Sequence, residues 1–311
     1  MTSRRLLIAC AATILVTSSC GAFAQDWRAK YPELTFSVTP GENSTGVIER
    51  YTPFMDYLSR SLGVKVNLRI ANDYAAVIEG QRAGNVHIAS YGSAAFARAL
   101  IIGVKTEAFG IDVNADGSKS YYSVFYVLKD SPYKSIEDLK GKNIGLVDPN
   151  STSGNNVPRL ALDKKGINPE TYFSKVVFTG SHENAVLALV QGTIDVAANA
   201  WTDADNSSLM RMIRKGMLKK PDGSSMSYDD FRIIARSDEI PNGPLAYLSD
   251  LPDELKAKIS DAFFNLRKND KVALERLYYG RLENEGWAPA KTEDWKPVIE
   301  LVKFVDTLRR K

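Results

Sequence analysis

The stretch richest in chemistry is Asp148-Pro149-Asn150-Ser151-Thr152-Ser153-Gly154, set between a β-branched run and an amphipathic one, as in a strand, a turn and a helix start. A helix start leaves backbone N–H groups without intrahelical partners and carries the positive end of the helix dipole. Three hydroxyls there add donors without adding charge. Such a place suits a compact tetrahedral oxyanion. One hydroxyl also suffices for an ordinary N-cap, so the stretch alone reads equally as a cap.

His182, in Gly180-Ser181-His182-Glu183-Asn184, opens a second helix after a strand, from where it can donate into the same cleft. Taken alone, a histidine there reads as structural. Tyr74, Tyr91, Tyr121 and Tyr122 fall at loop or strand ends. A phenol there offers a neutral donor, and its ring also packs. His87, inside a short strand, reads as structural. The chain has two histidines and no acidic cluster with calcium-loop spacing, so neither a metal site nor a cofactor is expected. No glycine-rich loop ends in Gly-Lys-Ser/Thr, which argues against nucleotide binding. The basic residues at 211–220 and 309–311 read as a solvated face and a free tail.

These residues need a scaffold. A length of 311 residues suggests two domains, and 44% hydrophobic with 25% charged residues excludes disorder and a coiled-coil rod. Lysine plus arginine is 40 against 37 acids, too even a balance for a nucleic-acid partner. Residues 1–24 read as an export signal: Arg4 and Arg5, an apolar run over 6–16, then small residues ending at Ala22-Phe23-Ala24. That run is too short to span a membrane. Both cysteines, Cys10 and Cys20, lie in this segment, so cleavage after Ala24 leaves a nearly neutral chain with no thiol or disulfide. A periplasmic protein is expected, with a lipoprotein anchored at Cys20 as the lesser alternative.

From residue 34 the pattern alternates short β-branched runs with longer amphipathic ones, the mark of an α/β protein. Strands are expected at 34–38, 64–70, 86–89 and 121–128, with helices at 48–62, closed by Gly63, and 74–83. A second set follows, with strands at 143–147, 175–179, 194–198 and 231–235. Its helices run from Ser151 or Thr152 to 165 and over 182–190. Helical pattern returns at 253–266, 272–279 and 293–308. Two crossings, near 128–131 and within the Pro- and Gly-rich 235–244, make a clamshell. Lobe I is then 25–128 plus 236–311, and lobe II is 129–235. The ligand belongs in the cleft between them.

Read in order, the chain resembles the periplasmic phosphonate-binding (PhnD-type) proteins that deliver phosphonates to ABC importers. The likeness rests on Tyr51-Thr52-Pro53-Phe54, Leu62-Gly63-Val64-Lys65-Val66, Asp73-Tyr74-Ala75, Tyr91-Gly92, Ala115-Asp116-Gly117-Ser118, Tyr122-Ser123-Val124, Lys129-Asp130-Ser131-Pro132 and the 148–154 stretch, and covers most of 33–265. The resemblance implies a type II periplasmic-binding fold without catalysis, working with an ABC permease in the inner membrane; a monomer is expected. It places the oxyanion contacts on Ser151, Thr152 and Ser153, with Tyr121, Tyr74 and His182 completing the pocket. Tyr91 and Asp203 join them as further candidates.

Family members that bind aminoalkyl phosphonates place acids opposite the phosphonate. Near those places this chain reads Ala200-Trp201-Thr202-Asp203 and Pro241-Asn242-Gly243-Pro244. A smaller oxyanion such as phosphite, methylphosphonate or phosphate is therefore expected, unless Asp203 turns inward. Two rivals stand beside a transport subunit. One is a periplasmic phosphoryl-transfer or hydrolytic enzyme, for which His182 is the lone base; the other is a sensor subunit presenting the same anion.

Overall fold

The computed structural model describes residues 27–279 and 286–309. The export segment, both cysteines and the last two residues of the basic tail lie outside the described residues.

The chain begins with strands β1 (Glu33–Val38), β2 (Lys65–Arg69), β3 (Ile88–Ser90) and β4 (Thr106–Val113). Six more follow: β5 (Ser120–Leu128), β6 (Asn143–Leu146), β7 (Lys175–Phe178), β8 (Val196–Trp201), β9 (Phe231–Arg236) and β10 (Ile240–Pro241). The last two are β11 (Pro244–Leu248) and β12 (Gly286–Pro289). They form two mixed sheets, one in the order β12-β4-β11-β3-β1-β2 and the other in the order β10-β5-β8-β6-β7, with β9 also on β5. In each sheet the strands linked by helices pair parallel (β1 with β2 and β3; β6 with β7 and β8), as strand–helix–strand crossovers allow. The strands that close each sheet, β4, β11 and β12 in one and β5, β9 and β10 in the other, pair antiparallel.

This pairing corrects the expected first crossing. The strand expected to end lobe I, β5, belongs to the second sheet, where Tyr122 pairs with Trp201 and Phe125 with Ala235. The chain therefore changes sheet between Val113 and Ser120, ahead of residues 128–131. It returns between β10 and β11, inside the expected 235–244 segment.

Burial follows the layers. One apolar cluster, around Phe36, Phe54 and Phe263, fills the outer side of the first sheet, and a smaller one, around Phe125, Leu139 and Leu162, fills that of the second. A third runs between the sheets, joining Val77, Phe96 and Trp295 to Val124, Val147 and Val186. Helix Lys296–Leu308 packs on both Ser93–Ile101 and Val157–Asp163, so the C-terminal helix bridges the two units.

The return crossing depends on Gly243. A Cβ there would lie 1.8 Å from the Tyr91 carbonyl oxygen, because Tyr91 N–H donates to Pro244 O at 2.9 Å and draws the two backbones together. Gly243→Ala should destabilise the protein by about 1–3 kcal/mol, through overpacking against backbone that cannot yield. Urea denaturation checks this: an unchanged midpoint would show that the crossing has slack.

Candidate functional site

Strand β6 ends at Leu146, and the chain turns over Asp148 and Pro149 into a π-helical turn, Thr152–Asn156, continued by helix Val157–Asp163. The expected helix start is therefore present, with a first turn wider than an α-turn: Asn156 N–H donates to Ser151 O at 3.0 Å. Ser151 is the N-cap, its Oγ accepting from Gly154 N–H at 3.0 Å. Gly154 is required because a Cβ would fall 2.4 Å from Val147 Cβ, where Val147 N–H meets Gly154 O. Asn155 and Asn156, which the sequence reading passed over, lock the loop by donating to Pro149 O at 2.9 and 3.1 Å.

Other helix starts converge on this turn. Tyr74 opens Tyr74–Arg82 behind its N-cap Asp73, and its phenol faces the Ser151 hydroxyl. Ser93–Ile101 begins behind Gly92, and its Ala94 N–H donates to Thr152 Oγ1 at 2.8 Å. Tyr121, on β5, directs its phenol at the hydroxyls of Thr152 and Ser153. Burial pushes both phenols' pKa values up and keeps them protonated donors. Ser151, Thr152 and Ser153 are only 1–2% exposed, so the two units close over the cradle. None of these contacts involves a lysine or arginine.

His182 opens His182–Val190, behind Ser181 as N-cap. It joins the cradle through the sheet: Ser123 Oγ donates to Ser153 O at 2.7 Å, Ser123 pairs with Ala200, and Ala200 N–H donates to His182 Nδ1 at 3.3 Å. Nδ1 is thereby the acceptor and Nε2 carries the proton. Burial, helped by the Arg211 charge and opposed by Asn199, lowers the imidazole to about 4. The ring is a neutral donor at neutral pH.

Two candidates are placed elsewhere. The Tyr91 phenol donates to Gln81 Oε1 at 3.1 Å, in the core beside Phe96, rather than facing the cradle. The Asp203 carboxylate does not turn inward: it caps its own turn, accepting from Asp205 N–H at 2.8 Å and Asn206 N–H at 2.7 Å. Trp201 donates its indole N–H to Tyr228, lies against Tyr122 and Arg236, and shares a cavity wall with Ala200 and Thr202. Asn242, in the place of an expected acid, donates to Asp112 O at 3.0 Å and accepts from Trp295 Nε1 at 3.1 Å.

Beside the cradle lies a cavity of about 540 Å³, lined by residues from both units, among them Asp112, Ala200, Thr202, Arg211 and Tyr279. Asp112 is a carboxylate the sequence reading missed. Burial raises it to about 6, against a hydrogen bond from the Tyr278 phenol at 2.8 Å and the Arg50 charge. Among the described residues no group of three or more His, Cys, Asp or Glu is placed to hold a metal.

The histidine gives a pH prediction. Its pKa falls from 6.5 to about 4 on folding, so between those values the unfolded chain binds more protons and stability drops as pH falls. Across that window the loss approaches about 3 kcal/mol, full stability being kept above pH ~6.5. His182→Gln should flatten this part of the stability–pH curve, measured by urea denaturation from pH 7 to 4. An unchanged slope would contradict a buried neutral imidazole.

Residues 36–295 match the family model described as "ABC transporter, phosphonate, periplasmic substrate-binding protein". The phosphonates-binding periplasmic protein of Escherichia coli is 34% identical over 280 residues, covering 87% of this chain and 76% of that one. A phosphate-import protein of Mycolicibacterium smegmatis is 31% identical over 227 residues, covering 69% and 70%. A binding-protein component of an ABC phosphonate transporter from Pseudomonas aeruginosa superposes with a TM-score of 0.76 at 28% identity, covering 89% and 88%. The two mixed sheets are those of a type II periplasmic-binding protein. The chain belongs to the family of periplasmic substrate-binding proteins of phosphonate ABC transporters.

Proposed function

We propose that the chain captures one small phosphorus oxyanion, such as methylphosphonate, phosphite or phosphate, in the cradle of Ser151, Thr152, Ser153, Tyr74 and Tyr121, with His182 at its edge. The observation that carries this reading is the gathering of five neutral hydroxyl donors, four at converging helix starts and Tyr121 on β5, with no cation among their contacts in the described residues. Capping and binding are compatible. Ser151 and Thr152 each accept a backbone N–H through a lone pair, and each keeps its own O–H proton to donate. By their names, one relative above binds phosphonates and another serves phosphate import.

In this reading residues 1–24 export the protein to the periplasm, and the mature monomer hands its ligand to the permease of an inner-membrane ABC importer. The two units act as lobes, parting at 114–119 and 242–243 to admit the anion and closing over it. An aminoalkyl phosphonate is disfavoured: Asp203 is committed to its own turn, Asn242 is an amide, Asp112 is already engaged by the Tyr278 phenol, and a buried ammonium without a free carboxylate is costly.

Calorimetry of ligand-stripped protein against phosphate, phosphite, sulfate, methylphosphonate and 2-aminoethylphosphonate tests this. Ser151→Ala or Thr152→Ala should weaken binding roughly 10- to 150-fold, the cost of one hydrogen bond to a charged ligand. Wild-type affinity in both variants would place the site elsewhere. Tighter binding of 2-aminoethylphosphonate than of phosphite and methylphosphonate would overturn the selectivity, and its loss in Asp112→Asn would identify the missed anchor.

A further inference from the structure

The two lobes meet at three places built alike. In each, a side-chain oxygen of the second lobe faces a backbone N–H at a helix start of the first: Thr152 faces Ala94, Asp148 faces Tyr74, and Glu183 faces Asn43, the N-cap of Ser44–Leu62. Thr152 belongs to the cradle, and Asp148 stands in the turn that leads into it. Glu183 belongs to neither, since its described partners are Asn43 and Arg211.

The third contact is strong on its chemistry. Glu183 is a carboxylate with 2% of its side chain exposed. Its Oε2 accepts from Asn43 N–H at 3.0 Å and from Asn43 Nδ2 at 2.9 Å, while Oε1 lies 3.5 Å from Arg211 Nε. The same helix start holds Glu42, buried and paired with Arg50 at 2.6 Å, with Tyr279 donating to its other oxygen. The chain is shaped to this: a Cβ at Gly46 would fall 2.6 Å from Glu42 Oε2. A buried carboxylate is tolerated when N–H donors, a helix dipole and a guanidinium surround it. Parting of the lobes, as proposed above, would exchange this contact for water on both sides, which ties it to the closed form.

We infer that Glu183 and Asn43 are positioning residues for ligand retention: an interlobe clasp, outside the oxyanion cradle, that sets how long a bound anion stays. The inference rests on the binding reading above. It differs from that reading in what it predicts, because a clasp that the ligand does not touch must act equally on every ligand.

Asn43→Asp separates the clasp from mere helix capping. Aspartate still accepts from Gly46 N–H, as Asn43 Oδ1 does at 2.9 Å, but it sets a second carboxylate against Glu183. The double variant Asn43→Asp/Glu183→Gln restores a donor–acceptor pair. Stopped-flow dissociation would be followed for methylphosphonate and phosphite. Interlobe distances would be read by electron–electron resonance between nitroxides on Lys65→Cys and Lys175→Cys, both exposed, in a chain whose native cysteines are confined to positions 10 and 20.

Asn43→Asp should speed dissociation of both ligands by about 10-fold and alike, with association little changed, and lengthen the interlobe distance; the double variant should reverse both. Unchanged rates and distances in Asn43→Asp, a ligand-dependent effect, or failure of the double variant to restore would each overturn the clasp. If wild type binds no phosphorus oxyanion, the functional reading fails, and ligand-free distances alone decide: lengthening and restoration support the clasp, and identical distributions sink it.

Discussion

Four helices begin around one spot, those opening at Tyr74, Ser93, Thr152 and His182, behind the N-caps Asp73, Gly92, Ser151 and Ser181. Each brings unpaired N–H groups and the positive end of its dipole, and together they favour negative charge there without a counter-ion. Much else in the molecule serves this convergence. The parallel strands β2, β3, β6 and β7 run toward it, so each following helix must start near it. Gly154 lets the turn settle onto Val147, and Gly243 lets the return crossing pass Tyr91. An arginine in the same place would add affinity for every anion, whereas neutral donors reward the matching tetrahedral shape.

The same arrangement fits holding rather than reacting. The base that a hydrolytic rival needs would be His182, and its Nδ1 lone pair is already engaged by Ala200 N–H. Its other nitrogen carries the proton and can only donate. Family membership and this geometry agree on a binding protein.

Much of this was legible in the sequence, because caps, strand runs and the Ser-Thr-Ser turn are local signals. The 148–154 stretch, Tyr74 and His182 all stand at helix starts, as read. What failed was non-local. Strand β5 follows the first unit in the chain, but its partner β8 lies more than 60 residues on, so no local pattern assigned it to the second sheet. Strands β4 and β11 were missed: β4 carries acids at Glu107 and Asp112, and β11 is a short apolar run behind Pro244. Tyr91 ends its strand as Tyr74 begins its helix, and only the packing shows that one phenol points to Gln81. Asp203 was readable either as an inward acid or as a cap; the Asp205-Asn206 amides take it as a cap. The Glu183–Asn43 contact spans 140 residues, beyond any periodicity.

In the proposed binding mode, helix-start amides and hydroxyls, rather than cationic side chains, hold the phosphorus centre. Scalar couplings between phosphorus and nitrogen across hydrogen bonds, measured on ¹⁵N-labelled protein loaded with methylphosphonate, read this directly. Couplings are expected from the ligand to backbone amides of the 152–155 turn, and none to a guanidinium or ammonium. Couplings confined to Arg211, Arg214 or Lys215, in the neighbouring cavity, would contradict it.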